Sequence, residues 1–257
     1  MPLQRTEDIT VIIACRNYEL MLPTMLRTIE CGLILPKRVI VVDDAGDDPD
    51  LCKRICHEYS AEYSRIEVWN KEGIPRAGLQ QGLDILKINP TKYVCFCGAD
   101  EFWFPNKLLV EFNALEENEE IGAAYGNFIN ADKNFTALDS VITAQALKRF
   151  IRANEGYYVD PAFLLETCCV IDNSLVRTKA WKEIKDWKIR DDVHRNFMWD
   201  FWLNLSENYK IKFIDTPIQY YWHHGSNISS KWDYNSEEFK RPRKIVVDDA
   251  KRRRGIA

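Results

Sequence analysis

The sequence predicts an α/β fold: a single domain with a mainly parallel central sheet and helices on both faces. Three observations carry this. Four strand-then-helix units follow one another within about the first 118 residues. Their strands are continuous apolar runs rather than alternating ones, which is the pattern of strands covered on both faces. Each strand runs into a polar or acidic loop, and loops at strand ends of such a sheet converge on one crevice.

Ile9-Thr10-Val11-Ile12-Ile13-Ala14 is a β-branched run closed by Cys15-Arg16-Asn17, and Glu19 to Cys31 then shows helical spacing at Leu20, Leu22, Leu26 and Ile29. Arg38 to Val42 is the second strand, ending in Asp43-Asp44-Ala45-Gly46-Asp47-Asp48-Pro49, with a helix through Leu51, Ile55 and Tyr59. The third strand, Ile66 to Trp69, leads through Asn70-Lys71-Glu72-Gly73 into a helix carrying Leu79, Leu83 and Leu86. Tyr93-Val94-Cys95-Phe96-Cys97 is the fourth. It runs straight into Gly98-Ala99-Asp100-Glu101, an aromatic turn and a helix start at Pro105.

Beyond a fifth strand around Ala123 to Asn127 the alternation weakens. The pattern predicts a helix over Val141–Ala153, a loop over Glu155–Phe163, strands at Cys168–Ile171 and Ser174–Val176, and a short helix from Lys179. Phe197 to Leu205 reads as an apolar helix interrupted by one acid, Asp200. Ile211–Ile214 and Ile218–Trp222 read as two strands, ending in His223-His224-Gly225-Ser226.

With 257 residues, 46% of them hydrophobic, the chain can bury a sizeable core. A net charge of −4 excludes a general nucleic-acid coat, which relies on a positive field. Met1 to Asp8 is polar and no run approaches eighteen apolar residues, so neither a secretion signal nor a membrane span is expected and the location is read as cytoplasmic. Eight cysteines are present. None of Cys52-x-x-x-Cys56-His57, Cys95/Cys97 or Cys168-Cys169 has paired C-x-x-C spacing, so buried reduced thiols are expected rather than structural zinc.

The strand-end loops hold Arg16, Asn17, Asp43, Asp44, Arg76, Asp100 and Glu101. That mixture of acids and cations suits a phosphate-bearing ligand bound with a divalent metal. There is no G-x-G-x-x-G after the first strand and no G-x-x-x-x-G-K-[ST], which removes the main sequence support for dinucleotide dehydrogenases and P-loop enzymes.

Taken in order, these pieces resemble the family-2 glycosyltransferases. Val11 to Asn17 stands where that family reads V-I-I-P-T-Y-N, and Val41 to Gly46 where it reads V-V-D-D-G-S. Asn70 to Leu83 is similar to N-x-G-x-x-x-A-R-N-x-G-L, and Gly98 to Pro105 to the D-x-D-D-x-W-x-P metal loop. Trp199 to Leu205 is similar to the tail of E-D-W-D-L-W-L-R-L, and Tyr221 to Ser226 to R-V-H-P-G-S. The resemblance covers most of residues 9 to 229.

It implies a GT-A-type, Rossmann-like domain over residues 1–235, with a nucleotide-sugar-binding half (9–125), an acceptor-side half (126–235) and a basic extension (236–257). It also implies an inverting, metal-dependent transfer from a nucleoside diphosphate sugar, a uridine one by preference, to an unknown acceptor hydroxyl on a glycan, protein, lipid or modified nucleic acid. Asp44 is then expected to bind the base, flanked by the main chain of Ala14 and the side chain of Arg16, with Asn17, Asp43 and Ala99 completing the donor site. Arg76 is expected on the phosphates. Asp100 is expected to hold Mn2+ or Mg2+, with His223 as second ligand and Glu101 beside it.

Two departures stand out. Gly98 replaces the first acid of the metal loop, and Phe197-Met198 replaces the Glu-Asp pair whose Asp removes the acceptor proton. Asp200 is the expected substitute base, with Asp192 and Asp191 as second choices. A catalytically silent nucleotide-sugar or glycan-binding module is the alternative. A nucleotidyltransferase is a third reading, but it calls for a Gly-rich, Lys-containing loop after the first strand. Lys240-Arg241-Pro242-Arg243-Lys244 and Lys251-Arg252-Arg253-Arg254 offer electrostatic contact to an anionic acceptor, a lipid surface or nucleic acid; a solvated or partner-packed extension is the other expectation.

Overall fold

The computed structural model describes residues 5–43, 46–62, 66–70, 84, 90–134, 136, 157–184, 190–227, 233 and 235–256. In chain order the elements are β1 (Arg5–Cys15), α1 (Leu22–Glu30), β2 (Ile34–Asp43), α2 (Pro49–Glu62), β3 (Ile66–Asn70), β4 (Tyr93–Gly98), β5 (Phe102–Trp103), α3 (Lys107–Glu117), β6 (Ile121–Ala131), α4 (Pro161–Glu166), β7 (Leu175–Arg177), α5 (Thr178–Glu183), a 3-10 turn (Asp191–Asn196), α6 (Phe197–Leu205), β8 (Lys210–Trp222) and α7 (Glu237–Arg253). The strands form one sheet in the order β3-β2-β1-β4-β7-β6-β8-β5.

Side chains alternate across a strand, so an apolar run supplies both faces at once. Ile12, Ile40, Val42, Val94 and Phe96 enter one core with α4, α5, α6 and α7. Val11, Ile13, Val39, Val41, Cys95 and Cys97 enter the other with α1, α2 and α3. This is why the first strands lack a polar face.

β1, β2, β3 and β4 pair in parallel, as do β6 and β8. The other pairings run antiparallel: β7 joins β4 to β6, and β5 pairs with β8. The sheet is therefore parallel over β3-β2-β1-β4 and mixed beyond it.

Several expected elements differ. The two strands expected at 211–222 are one continuous β8, carried through by irregular register against β6. Cys168–Ile171 is not a strand, and Pro161 starts α4 inside the expected loop, with Asp160 capping the helix by accepting from the Ala162 amide at 2.9 Å. The helix expected at 141–153 and the leucines Leu79, Leu83 and Leu86 lie outside the described residues.

The segment read as a basic extension contains a docked helix. Ser236 caps α7, and Val246 and Ala250, one turn apart, are fully buried in the core that α6 lines. Arg254 donates to the carbonyls of Pro161 and Leu203, both at 2.9 Å, so its charge sits at the C-terminal end of α6. Lys240, Arg241, Lys244 and Arg252 remain exposed. No described helix is long and apolar enough to cross a membrane.

Candidate active site

Register brings the strand ends together. Ala14 lies beside Val42 and Gly98, Cys15 lies beside Asp43, and the Ala99 amide donates to the Ala14 carbonyl at 3.2 Å. Asn17 takes a left-handed backbone (φ 59°), which asparagine tolerates better than most residues. Its amide donates to Glu19 Oε1 at 3.0 Å, and its Oδ1 accepts from the Asp47 amide at 2.8 Å, so the first two loops brace each other. Gly46 leaves room for this contact: a Cβ there would stand 2.5 Å from Glu19 Oε1 and the glutamate would have to shift. Asp43 turns inward: it is 2% exposed and accepts from the Gly46 amide at 3.2 Å. Burial raises its pKa, and the Gly46 bond pulls it part of the way back. Arg16 is exposed, whereas Asp44 and Arg76 lie outside the described residues. Beneath the loops the thiols of Cys15, Cys52 and Cys56 hydrogen-bond to one another, and all eight cysteines are free.

At the end of β4 the missing side chain of Gly98 has a local consequence. A Cβ there would lie 2.5 Å from Asp100 Oδ1, so the glycine leaves the space that the Asp100 carboxylate fills. Asp100 Oδ2 stands 3.2 Å from Nε2 of His224, whose Nδ1 is 2.7 Å from the Ser226 hydroxyl. Tyr18 packs edge-on against the same imidazole at 5.4 Å and donates through its hydroxyl to the Ser226 carbonyl. The His224 side chain is 3% exposed and that of Asp100 22%, so the pair opens to solvent on the carboxylate side.

The expected ligand was His223, and the structure sends it elsewhere. Its backbone amide donates to Ala131, continuing the β8 ladder, and its Nε2 lies 3.2 Å from Asn130 Oδ1. Neighbouring side chains along extended backbone point to opposite sides, so only one of the two histidines reaches Asp100.

Glu101 also departs from a metal-facing role. Its Oε2 accepts from Asn173 Nδ2 at 2.8 Å, and the same nitrogen donates to Gln219 Oε1 at 2.5 Å. Burial, reinforced by the Asp100 charge and opposed by Lys107, pushes its pKa up to about 8. Behind it Lys107 bonds both Glu111 oxygens at 2.8 and 3.0 Å and the Asn173 carbonyl at 2.7 Å. Among the described residues no group of three or more His, Cys, Asp or Glu could hold a metal. Asp100 and His224 are thus two protein donors, one oxygen and one nitrogen. That set fits a divalent ion completed by phosphate oxygens and water.

In the first turn of α6, Asp200 is 3% exposed, and Asn204 Nδ2 donates to its carbonyl at 2.7 Å and its Oδ1 at 3.2 Å. Arg190 lies close by, bonded to Asp249 of α7 at 2.8 Å and 3.5 Å from Asp192. Burial works against the Arg190 charge, and the Asp249 bond with the charges of Asp200 and Asp192 outweighs it, so its pKa is raised. Asp200 therefore belongs to a charge cluster against α7. Asp192 pairs on its exposed rim, and the Asp191 side chain is outside the described set. Met198 is buried.

Sequence reading missed Asn173 and His224. The Asn173 carbonyl accepts from Lys107, and 78 residues separate it from Cys95, whose thiol donates to the same oxygen at 3.1 Å. Nothing local in Ile171-Asp172-Asn173-Ser174 marks such a hub.

The profile of Glycosyl transferase family 2 matches residues 10–185. No curated protein sequence matches. Among solved structures, S. aureus TarS 1-349 in complex with UDP-GlcNAc superimposes with a TM-score of 0.68 at 16% identity, covering 93% of this chain and 65% of that one. The same fragment in complex with UDP gives 0.63 at 17% identity, covering 83% and 60%. Mannosyltransferase PcManGT from Pyrobaculum calidifontis, in complex with GDP-Man and Mn2+, gives 0.59 at 14% identity, covering 85% and 57%. The chain thus spans less than two thirds of the length of each of these structures, and at such identities the likeness establishes the GT-A fold.

Proposed function

Because the chain belongs to glycosyl transferase family 2, we propose that it moves a sugar from a nucleoside diphosphate donor, a uridine one, to an acceptor hydroxyl with inversion. The observation that carries this reading is the Asp100–His224 pair at the converging strand ends. These two residues would hold Mn2+ or Mg2+, which when bound offsets the negative charge growing on the departing diphosphate. Complexes of structural neighbours with UDP, UDP-GlcNAc, GDP-Man and Mn2+ support the choice of donor and ion.

The chain's own groups divide the remaining tasks. The residues Ala14–Asn17, braced against Asp47, form the nucleoside end together with Asp43 and Gly46, and the Arg16 guanidinium offers a flat face to a base there. Asp44 for the base and Arg76 for the phosphates enter by the resemblance alone. Inversion follows from one direct displacement, in which the acceptor oxygen bonds to the anomeric carbon as the diphosphate leaves from the opposite face.

The burial of Met198 and Asp200 favours a second reading, a nucleotide-sugar-binding module without turnover. Nucleoside diphosphate release from a panel of donor sugars, with and without manganese, separates the two. Metal-dependent release that vanishes in Asp100→Ala supports the transferase. Donor binding without release supports the module, and full activity in Asp100→Ala removes the proposed ion site.

A further inference from the structure

We infer that Asp172 is the carboxylate that accepts the proton from the attacking acceptor hydroxyl. The inference rests on the transferase reading above and adds to it the residue that completes the displacement. A direct displacement needs a proton acceptor on the acceptor side of the anomeric carbon. Of the described carboxylates near the Asp100–His224 pair, Glu101 is engaged by Asn173 and Asp43 by the Gly46 amide. Asp200 is buried against Asn204 within its own helix.

Asp172 differs from all three in its position. Residues 171–174 form a tight turn, closed by the Ser174 amide and hydroxyl donating to the Ile171 carbonyl at 3.3 and 2.6 Å. The two central residues face opposite ways. Asn173 is 2% exposed and anchors the turn to Glu101 and Gln219, while Asp172 remains exposed. β7 follows the turn and runs antiparallel to β4, with Leu175 opposite Cys95. The turn therefore lies at the end of β4 from which Asp100 and Glu101 emerge, and the Asp172 charge is felt at Glu101. Although it retains solvent contact, the surrounding protein desolvates Asp172 enough to push its pKa up to about 6.

The step balances without a further reagent. The acceptor oxygen forms its bond to the anomeric carbon, the bond from that carbon to the diphosphate oxygen breaks with its electron pair leaving on the diphosphate, and the hydroxyl proton passes to an Asp172 oxygen. Water takes the acceptor's place in donor hydrolysis, so the same residue serves there.

The test measures donor hydrolysis by Asp172→Asn and Asp172→Ala together with UDP affinity by calorimetry in the presence of manganese. We expect rates to fall about a hundred- to ten-thousand-fold, UDP affinity to stay within about threefold, and sodium formate to restore part of the Asp172→Ala rate while leaving the wild type unchanged. An active wild type with an equally active Asp172→Asn overturns this assignment alone. So does a rate loss that formate does not restore, or one matched by an equal loss of UDP affinity. A wild type that releases no nucleoside diphosphate from any donor overturns this assignment and the transferase reading together.

Discussion

Lys107 shows how a single buried ammonium ties α3 to the turn before β7. It and Glu111 are 1% and 0% exposed, and the ammonium also lies 4.7 Å from the centre of the Trp103 ring. Burial pushes the Glu111 pKa up to about 7, with the Lys107 charge and hydrogen bond opposing the rise. An acid whose folded value is raised above its unfolded one contributes stability that is full below the unfolded pKa of about 4.5 and is lost as pH rises through about 7. Lys107→Met removes the compensating charge and leaves Glu111 unpaired, which costs about 3–5 kcal/mol when Glu111 is ionised. Urea denaturation is expected to show that loss at pH 8 and a clearly smaller one at pH 5. Equal losses at both would mean that Glu111 stays neutral and that Lys107 acts through packing alone.

At the scale of elements, α7 turns a charged tail into a wall of the second core. Arg243 stacks on Trp199 at 4.7 Å and donates to the Glu166 carbonyl at 2.8 Å, so this basic residue is held inside the fold rather than offered to a partner. Val246→Asp places an unpaired carboxylate against α6, and a loss of about 3 kcal/mol or more is expected in chemical denaturation. A loss below about 1 kcal/mol would show that α7 is not part of the cooperative unit. The i, i+4 pair Val246 and Ala250 was legible in the sequence, but the density of lysine and arginine around it made the segment read as solvated. The first four strands and α6 were legible because continuous apolar runs and a nine-residue apolar helix admit few alternatives. β7 was expected as a strand at Ser174–Val176 and is found one residue later, at Leu175–Arg177. Its place between β4 and β6 was not legible, because it depends on partners some fifty to eighty residues away. The His223/His224 choice was equally closed to sequence reading, since period two says that the two differ in direction without saying which faces Asp100. Asp200 looked catalytic because an acid in an apolar run needs a reason, and Arg190, brought in by the fold, supplies a structural one.

At the scale of the molecule, the Asp100–His224 pair is assembled from the loop between β4 and β5 and from the residues after β8, with β5 paired to β8. A ligand that engages both segments should stabilise the native state by mass action. Near a hundred times its dissociation constant, a ligand adds about 2.7 kcal/mol, or about 5–10 °C in Tm for a chain of this size. UDP with manganese is expected to produce such a shift, chelation of the metal to abolish it, and Asp100→Ala to lack it; a shift of the same size with the chelator present would mean that the ion is not required for nucleotide binding.

The three residues of β7 carry a heavier duty than their length suggests. Among the described residues they join β4 to β6, with Arg177 reaching the carbonyls of Ile121 and Leu115 at the far end. The turn bearing Asp172 hangs from the near end of that stitch. Losing the pairings of Leu175–Arg177 would part the β3-β2-β1-β4 strands from the β6-β8-β5 ones and loosen the turn that carries Asp172, so the cohesion of the sheet and the placing of that carboxylate depend on the same few backbone hydrogen bonds.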